Sequence, residues 1–146
     1  TTLHRAAAMS LPTRLPVSNY RLGSTFGNRP DPFSGRFAFH SGLDFSTDTG
    51  TPIHAAGGGQ VSFSGMVPEL GNVVEIDHGN GLRSRYAHCL RLTVKQGELV
   101  VPGQLVAEVG STGRSTGPHL HFEILKDGMF VDPMPYLNLN TQAAGV

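Results

Sequence analysis

Apolar and polar residues alternate in five short runs. Residues 60–64 read QVSFS, 72–77 NVVEID, 82–88 LRSRYAH, 105–109 LVAEV and 119–125 HLHFEIL. A period of two sends successive side chains to opposite faces of a strand, so each run predicts a β-strand with one face buried. Turn chemistry separates the runs: Gly57-Gly58-Gly59, His78-Gly79-Asn80-Gly81, Val101-Pro102-Gly103, Ser115-Thr116-Gly117-Pro118 and Lys126-Asp127-Gly128. Asn80-Gly81 between two alternating runs predicts a hairpin. Past the first twenty residues no stretch carries a 3.6-residue apolar period. The pattern therefore predicts an all-β domain, mostly antiparallel.

The ends are patterned differently. Leu3 to Met9 has room for a helical turn or two, after which Pro12 and Pro16 impose an extended path. The chain thus divides into an N-terminal arm (1–20), a domain (21–136) and a polar tail (137–146). A length of 146 residues suits one domain with a single core. Gly (19) and Pro (10) make about a fifth of the chain, against roughly 12% on average, as many tight turns between short strands require. Apolar residues at 38% set disorder aside. A net charge of zero offers no basic field for nucleic acid. No apolar run is long enough for a transmembrane helix. The chain opens on Thr1 with no visible signal peptide, so it is expected to be a processed or excised piece, acting as a monomer. The lone Cys89 excludes an internal disulfide and a cysteine-based zinc cluster.

Seven histidines against no tryptophan are the first pointer to chemistry. His119 and His121, two apart on a predicted strand, share a face, with Leu120 on the other. Two imidazoles on one face serve a metal together, or one binds metal while the other moves protons. His40 and Asp44 lie four apart. In an extended strand that is roughly 13 Å, so sharing a metal requires a bend, which Gly42 permits. His88 ends its alternating run, and Tyr86, two residues earlier, falls on the same face of a regular strand. A catalytic zinc site keeps three protein ligands and one open position. A His/Asp/His set meets that need and suits zinc better than a soft-metal site. Two histidines remain as proton carriers near neutral pH. Spacing leaves open which two of the four histidines are ligands.

H-S-G-L-D at 40–44, Y-A-H at 86–88 and S-T-G-P-H-L-H-F-E at 115–123 resemble the signature of the lysostaphin-type (M23, LytM-like) metallopeptidases. G-T-P-I-H-A-A at 50–56, I-D-H-G-N-G-L at 76–82 and V-V-P-G-Q-L-V at 100–106 match as well, so the resemblance covers roughly residues 20–136. It implies an open antiparallel β-sheet with a groove carrying the site, of the duplicated-hybrid-motif kind. It also implies one Zn2+ ion held by His40, Asp44 and His121, catalytic roles for His88 and His119, and a groove lined by Tyr86, Ser115 and Thr116. The implied activity is hydrolysis of peptide crosslinks in bacterial peptidoglycan, in the periplasm or outside the cell. The entry segment 15–29 looks like that of Gram-negative members, which favours the D-alanyl–diaminopimelate crosslink over a glycyl-glycine bridge. Cys89 departs from the usual leucine, and alternation turns it away from His88 as a buried small hydrophobe. His54 reads as structural, His78 as fixing its hairpin, His4 as uninvolved and Glu123 as supporting a ligand.

Two readings from other classes compete. A non-enzymatic wall-binding or amidase-activating module is typical of degenerate relatives, which lack several of the five residues present here. A lipoyl- or biotinyl-carrier half-barrel is suggested by residues 94–104. Neither Lys95 nor Lys126 stands in the Met-Lys or Asp-Lys context a carrier needs.

Overall fold

The computed structural model describes residues 9–30 and 37–137. These form twelve strands: β1 (Arg21–Leu22), β2 (Gly27–Pro30), β3 (Phe37–His40), β4 (Leu43–Ser46), β5 (Pro52–His54), β6 (Gly59–Val67), β7 (Gly71–Gly79), β8 (Leu82–Leu92), β9 (Leu99–Val100), β10 (Leu105–Val109), β11 (His119–Lys126) and β12 (Met129–Val131). No helix occurs among the described residues, as the all-β pattern predicts. Ten strands make one sheet, ordered β1-β4-β11-β8-β7-β6-β9, with β12 on β11 and β10 bridging β5 and β8. β2 and β3 form a separate ribbon, and every pairing is antiparallel.

The five alternating runs are β6, β7, β8, β10 and β11, and Asn80-Gly81 makes the β7–β8 hairpin with both residues at positive φ. One face of the sheet is the core. Leu43 and Phe45 of β4, Val74 and Ile76 of β7, Tyr86 of β8, and Leu120, Phe122 and Ile124 of β11 are all fully buried there. Each such large side chain contributes about 1.5–3 kcal/mol relative to exposure. The opposite face of β11 carries His119, His121 and Glu123.

β8 is not regular. Val74 pairs with Tyr86, but Asn72 pairs with Cys89, so β8 holds one residue more than β7 between these pairs. The extra residue is accommodated where His88 takes φ 62. This bulge breaks the alternation. Tyr86 and Cys89 both point into the core, while His88 turns to the opposite face. Tyr86 therefore does not line the groove as expected. It is fully buried, its hydroxyl accepts the Ala56 N–H at 2.9 Å, and burial pushes its pKa up to about 12. Cys89 is buried as expected, and burial pushes its thiol up to about 12.

His78 does more than shape its hairpin. Its Nδ1–H donates to the Gly58 carbonyl at 2.8 Å, leaving Nε2 to accept from Ser84 Oγ at 2.7 Å. Ser84 in turn accepts from the Tyr86 hydroxyl at 2.8 Å. This buried chain ties the loop at 55–58 to β7 and β8. Among the described residues no buried side-chain nitrogen or oxygen lacks a partner. The described part of the arm packs on the same loop: Ser10 N–H donates to Gly58 O, Arg14 N–H to Ala56 O, and Val17 is buried. Leu137, assigned to the tail by composition, is buried in the core. The helical turn expected from Leu3 lies largely outside the described residues, as does the tail from 138 on.

Candidate active site

β3 delivers His40 and β4 delivers Asp44, with the corner between them at Ser41-Gly42. The corner sits so close to β11 that a Cβ on Gly42 would collide with the Phe122 carbonyl. This is the bend that four-residue spacing requires. Asp44 lies opposite His121 in the β4–β11 register, so backbone pairing sets them side by side.

One donor atom each from His40, Asp44 and His121 lies within 4.8 Å of the others. His40 Nδ1–H donates to Thr25 O at 2.9 Å, which leaves Nε2 facing Asp44 Oδ2 at 3.2 Å. His121 Nδ1 is 2.7 Å from Asp44 Oδ1, and its Nε2 is 3.0 Å from Glu123 Oε2. A tetrahedral shell with bonds of about 2.0–2.1 Å sets neighbouring donors roughly 3.3 Å apart. The three atoms thus fit a metal, with Glu123 fixing the far nitrogen of His121. Burial raises the Asp44 carboxyl, but hydrogen bonds from His121 and His40 outweigh it and hold it well below the usual range. Burial lowers His121, yet its bonds to Asp44 and Glu123 raise it to about 9. The two carboxylates favour the protonated ring, and a metal held through Nδ1 would displace that proton.

His88 and His119 stand beside this group. Their rings are 4.9 Å apart, and His88 is 6.0 Å from the His121 ring. Each donates Nδ1–H to a main-chain carbonyl, His88 to Thr112 at 2.7 Å and His119 to Gly117 at 2.9 Å. A carbonyl only accepts, so Nδ1 carries the hydrogen and Nε2 is the nitrogen available for proton transfer. Burial pulls the His88 pKa down against the hydrogen bond to Thr112. Ser115 Oγ is 3.3 Å from His119 Nδ1, beside the site, while Thr116 is exposed on the same loop.

The structure also brings in residues that spacing did not single out. Ser41 Oγ donates to Glu123 Oε2 at 2.5 Å. Arg85 bridges Glu123, at 3.4 Å, to Glu75, at 2.6 Å, and these three are direct neighbours across β11, β8 and β7. Alternation in LRSRYAH already sets Arg83 and Arg85 on one face. Pairing them with carboxylates requires the strand order, which the sequence does not print.

Among proteins of known sequence, the chain is 40% identical over 119 residues to the DD-carboxypeptidase/endopeptidase Mpg of Neisseria meningitidis, covering 82% of this chain and 27% of that protein. It is 42% identical over 123 residues to the peptidoglycan DD-endopeptidase ShyA of Vibrio cholerae, covering 83% and 29%. The chain thus spans less than a third of the length of these relatives. A zinc containing peptidase of Vibrio cholerae superposes with a TM-score of 0.80 at 40% identity, over 86% of this chain and 40% of that one. The model of Peptidase family M23 matches residues 38–133. All five side chains described above fall within that span, and the chain belongs to peptidase family M23.

Proposed function

We propose that the chain is a zinc-dependent endopeptidase that hydrolyses peptide crosslinks of bacterial peptidoglycan, with the D-alanyl–diaminopimelate bond as its target. One observation carries the reading: three donor atoms of His40, Asp44 and His121 converge beside two histidines whose Nδ1 atoms are tied to carbonyls. The names of Mpg and ShyA support a wall crosslink as substrate. A three-donor set leaves the fourth position of tetrahedral zinc open, which supports one catalytic ion. A wall substrate implies work in the periplasm or outside the cell.

Zinc bound there supplies Lewis acidity, acidifying water and polarising the scissile carbonyl. His40 offers Nε2, His121 offers Nδ1, and Asp44 adds a negative charge that offsets the metal's. Nε2 of one of His88 and His119 would take a proton from the attacking water and pass that same proton to the leaving amine, while the other ring, when protonated, would stabilise the oxyanion. The fixed Nδ1–H bonds leave both rings one working nitrogen. Ser115 and Thr116 border the groove at the strand entrance.

Digestion of purified wall sacculi with zinc-loaded and chelated protein, with products read by mass, tests the reading. New free amines on diaminopimelate are expected with zinc and not without it. Amines on glycine would point to a glycyl-glycine endopeptidase, and no new amine to a non-enzymatic module. His121→Ala is expected to lose metal and turnover together. His88→Ala is expected to keep metal and lose about 10²- to 10⁴-fold in rate.

A further inference from the structure

His88 carries a side chain in the left-handed region, at φ 62, inside a strand. A non-glycine residue stays there only when its surroundings over-determine it. Two bonds reach it directly. Its N–H donates to Leu70 O at 2.8 Å, and its Nδ1–H donates to Thr112 O at 2.7 Å. The second bond is as well aimed as residue 112, which lies in the loop between β10 and β11.

The Thr112 side chain secures that aim. Its hydroxyl donates to Cys89 O at 2.7 Å and accepts the Asn72 N–H at 3.1 Å. Cys89 follows His88 in sequence, and Asn72 is its partner across the bulge. One hydroxyl thus grips both strands beside the residue that its own carbonyl orients. The backbones of Gly71 and Gly113 pack against this segment too closely for a Cβ on either, and Arg114 N–H donates to Glu69 O at 2.7 Å. The far end of the loop reaches the other histidine through Gly117 O.

We propose that Thr112 is a positioning residue: its hydroxyl latches the loop to β7 and β8 so that its carbonyl holds His88 with Nδ1 protonated and Nε2 presented to the site. The proposal rests on the reading of His88 as a proton carrier. Thr112→Val keeps the shape and removes both hydroxyl bonds, while Thr112→Ser keeps the hydroxyl.

The test uses the zinc-loaded chain, with kcat and KM on a crosslinked muropeptide, zinc affinity, and 15N spectra of the His88 ring. Thr112→Val is expected to lower kcat roughly 10- to 100-fold, as small misplacements of a catalytic group do, with KM and zinc affinity within about twofold. Its His88 spectrum is expected to leave the pure Nδ1–H tautomer, and Thr112→Ser to restore both rate and spectrum. Full kcat in Thr112→Val beside a dead His88→Ala overturns the latch. If His88→Ala keeps turnover, the catalytic reading of His88 fails instead, and the spectra still decide: an unchanged tautomer in Thr112→Val rejects the latch. Should Thr112→Val not fold, Thr112→Ala replaces it. A proton on Nε2 of His88 in the unsubstituted protein rejects the proposal whatever the variants do.

Discussion

His121 stands between two carboxylates, and each claims one nitrogen. Asp44 faces Nδ1 and Glu123 faces Nε2, so the ring cannot rotate without losing a charge-assisted bond. Glu123 is itself fixed by Ser41 and Arg85. Its negative charge raises the basicity of the His121 ring, as a carboxylate behind a metal-bound histidine would under the proposed assignment. Glu123→Gln keeps the shape and removes that charge. Metal affinity, read by competition with a chromophoric chelator, is expected to fall about 10- to 100-fold. Affinity equal to that of the unsubstituted protein would show that Glu123 only fills space.

At the scale of elements, two irregularities make the site. The β8 bulge sends His88 to the face that regular alternation would deny it, given that Tyr86 is committed to the core. The Ser41-Gly42 corner folds β3 back so that His40 reaches Asp44. Gly42 is at the corner because β11 passes directly against it. Gly42→Ala must push the corner away from Phe122. A loss of roughly 1–3 kcal/mol in stability is expected from such overpacking. Metal binding is expected to weaken with it, since His40 and Asp44 separate. Thermal melts with and without metal measure both, and a variant that melts and binds like the parent would refute the close approach.

Across the whole molecule, the polar chain from Gly58 through His78, Ser84 and Tyr86 to Ala56 fastens the loop at 55–58, and with it the arm, to the sheet. It runs in one direction only while His78 is neutral, because Nε2 must accept. Burial holds the His78 pKa below its ordinary 6.5. The unfolded chain therefore binds the proton more readily. The His78 contribution is complete above pH 6.5 and is lost as pH falls below 6.5 through the lowered folded value. His78→Gln is expected to be less stable at pH 7 by about 1–3 kcal/mol. The gap to the parent should narrow as pH falls from 7 to 5, and a gap constant over that range, read from melting curves, would rule the linkage out.

The sequence by itself determined much of this. Alternation located the five long strands, because a half-buried strand must alternate whatever it pairs with. The short strands β1 to β5, β9 and β12 were not legible, since two to four residues carry no period and owe their form to their neighbours. Motif spacing marked His40, Asp44, His88, His119 and His121, and it failed at Tyr86, which keeps the core face of regular alternation while the bulge after it turns His88 to the other face. Only the tertiary structure decided that Asp44 lies beside His121, that Arg85 joins Glu75 to Glu123, and that Thr112 reaches His88. Those contacts join residues tens of positions apart, and strand order and register, set by burial of the whole sheet, bring them together.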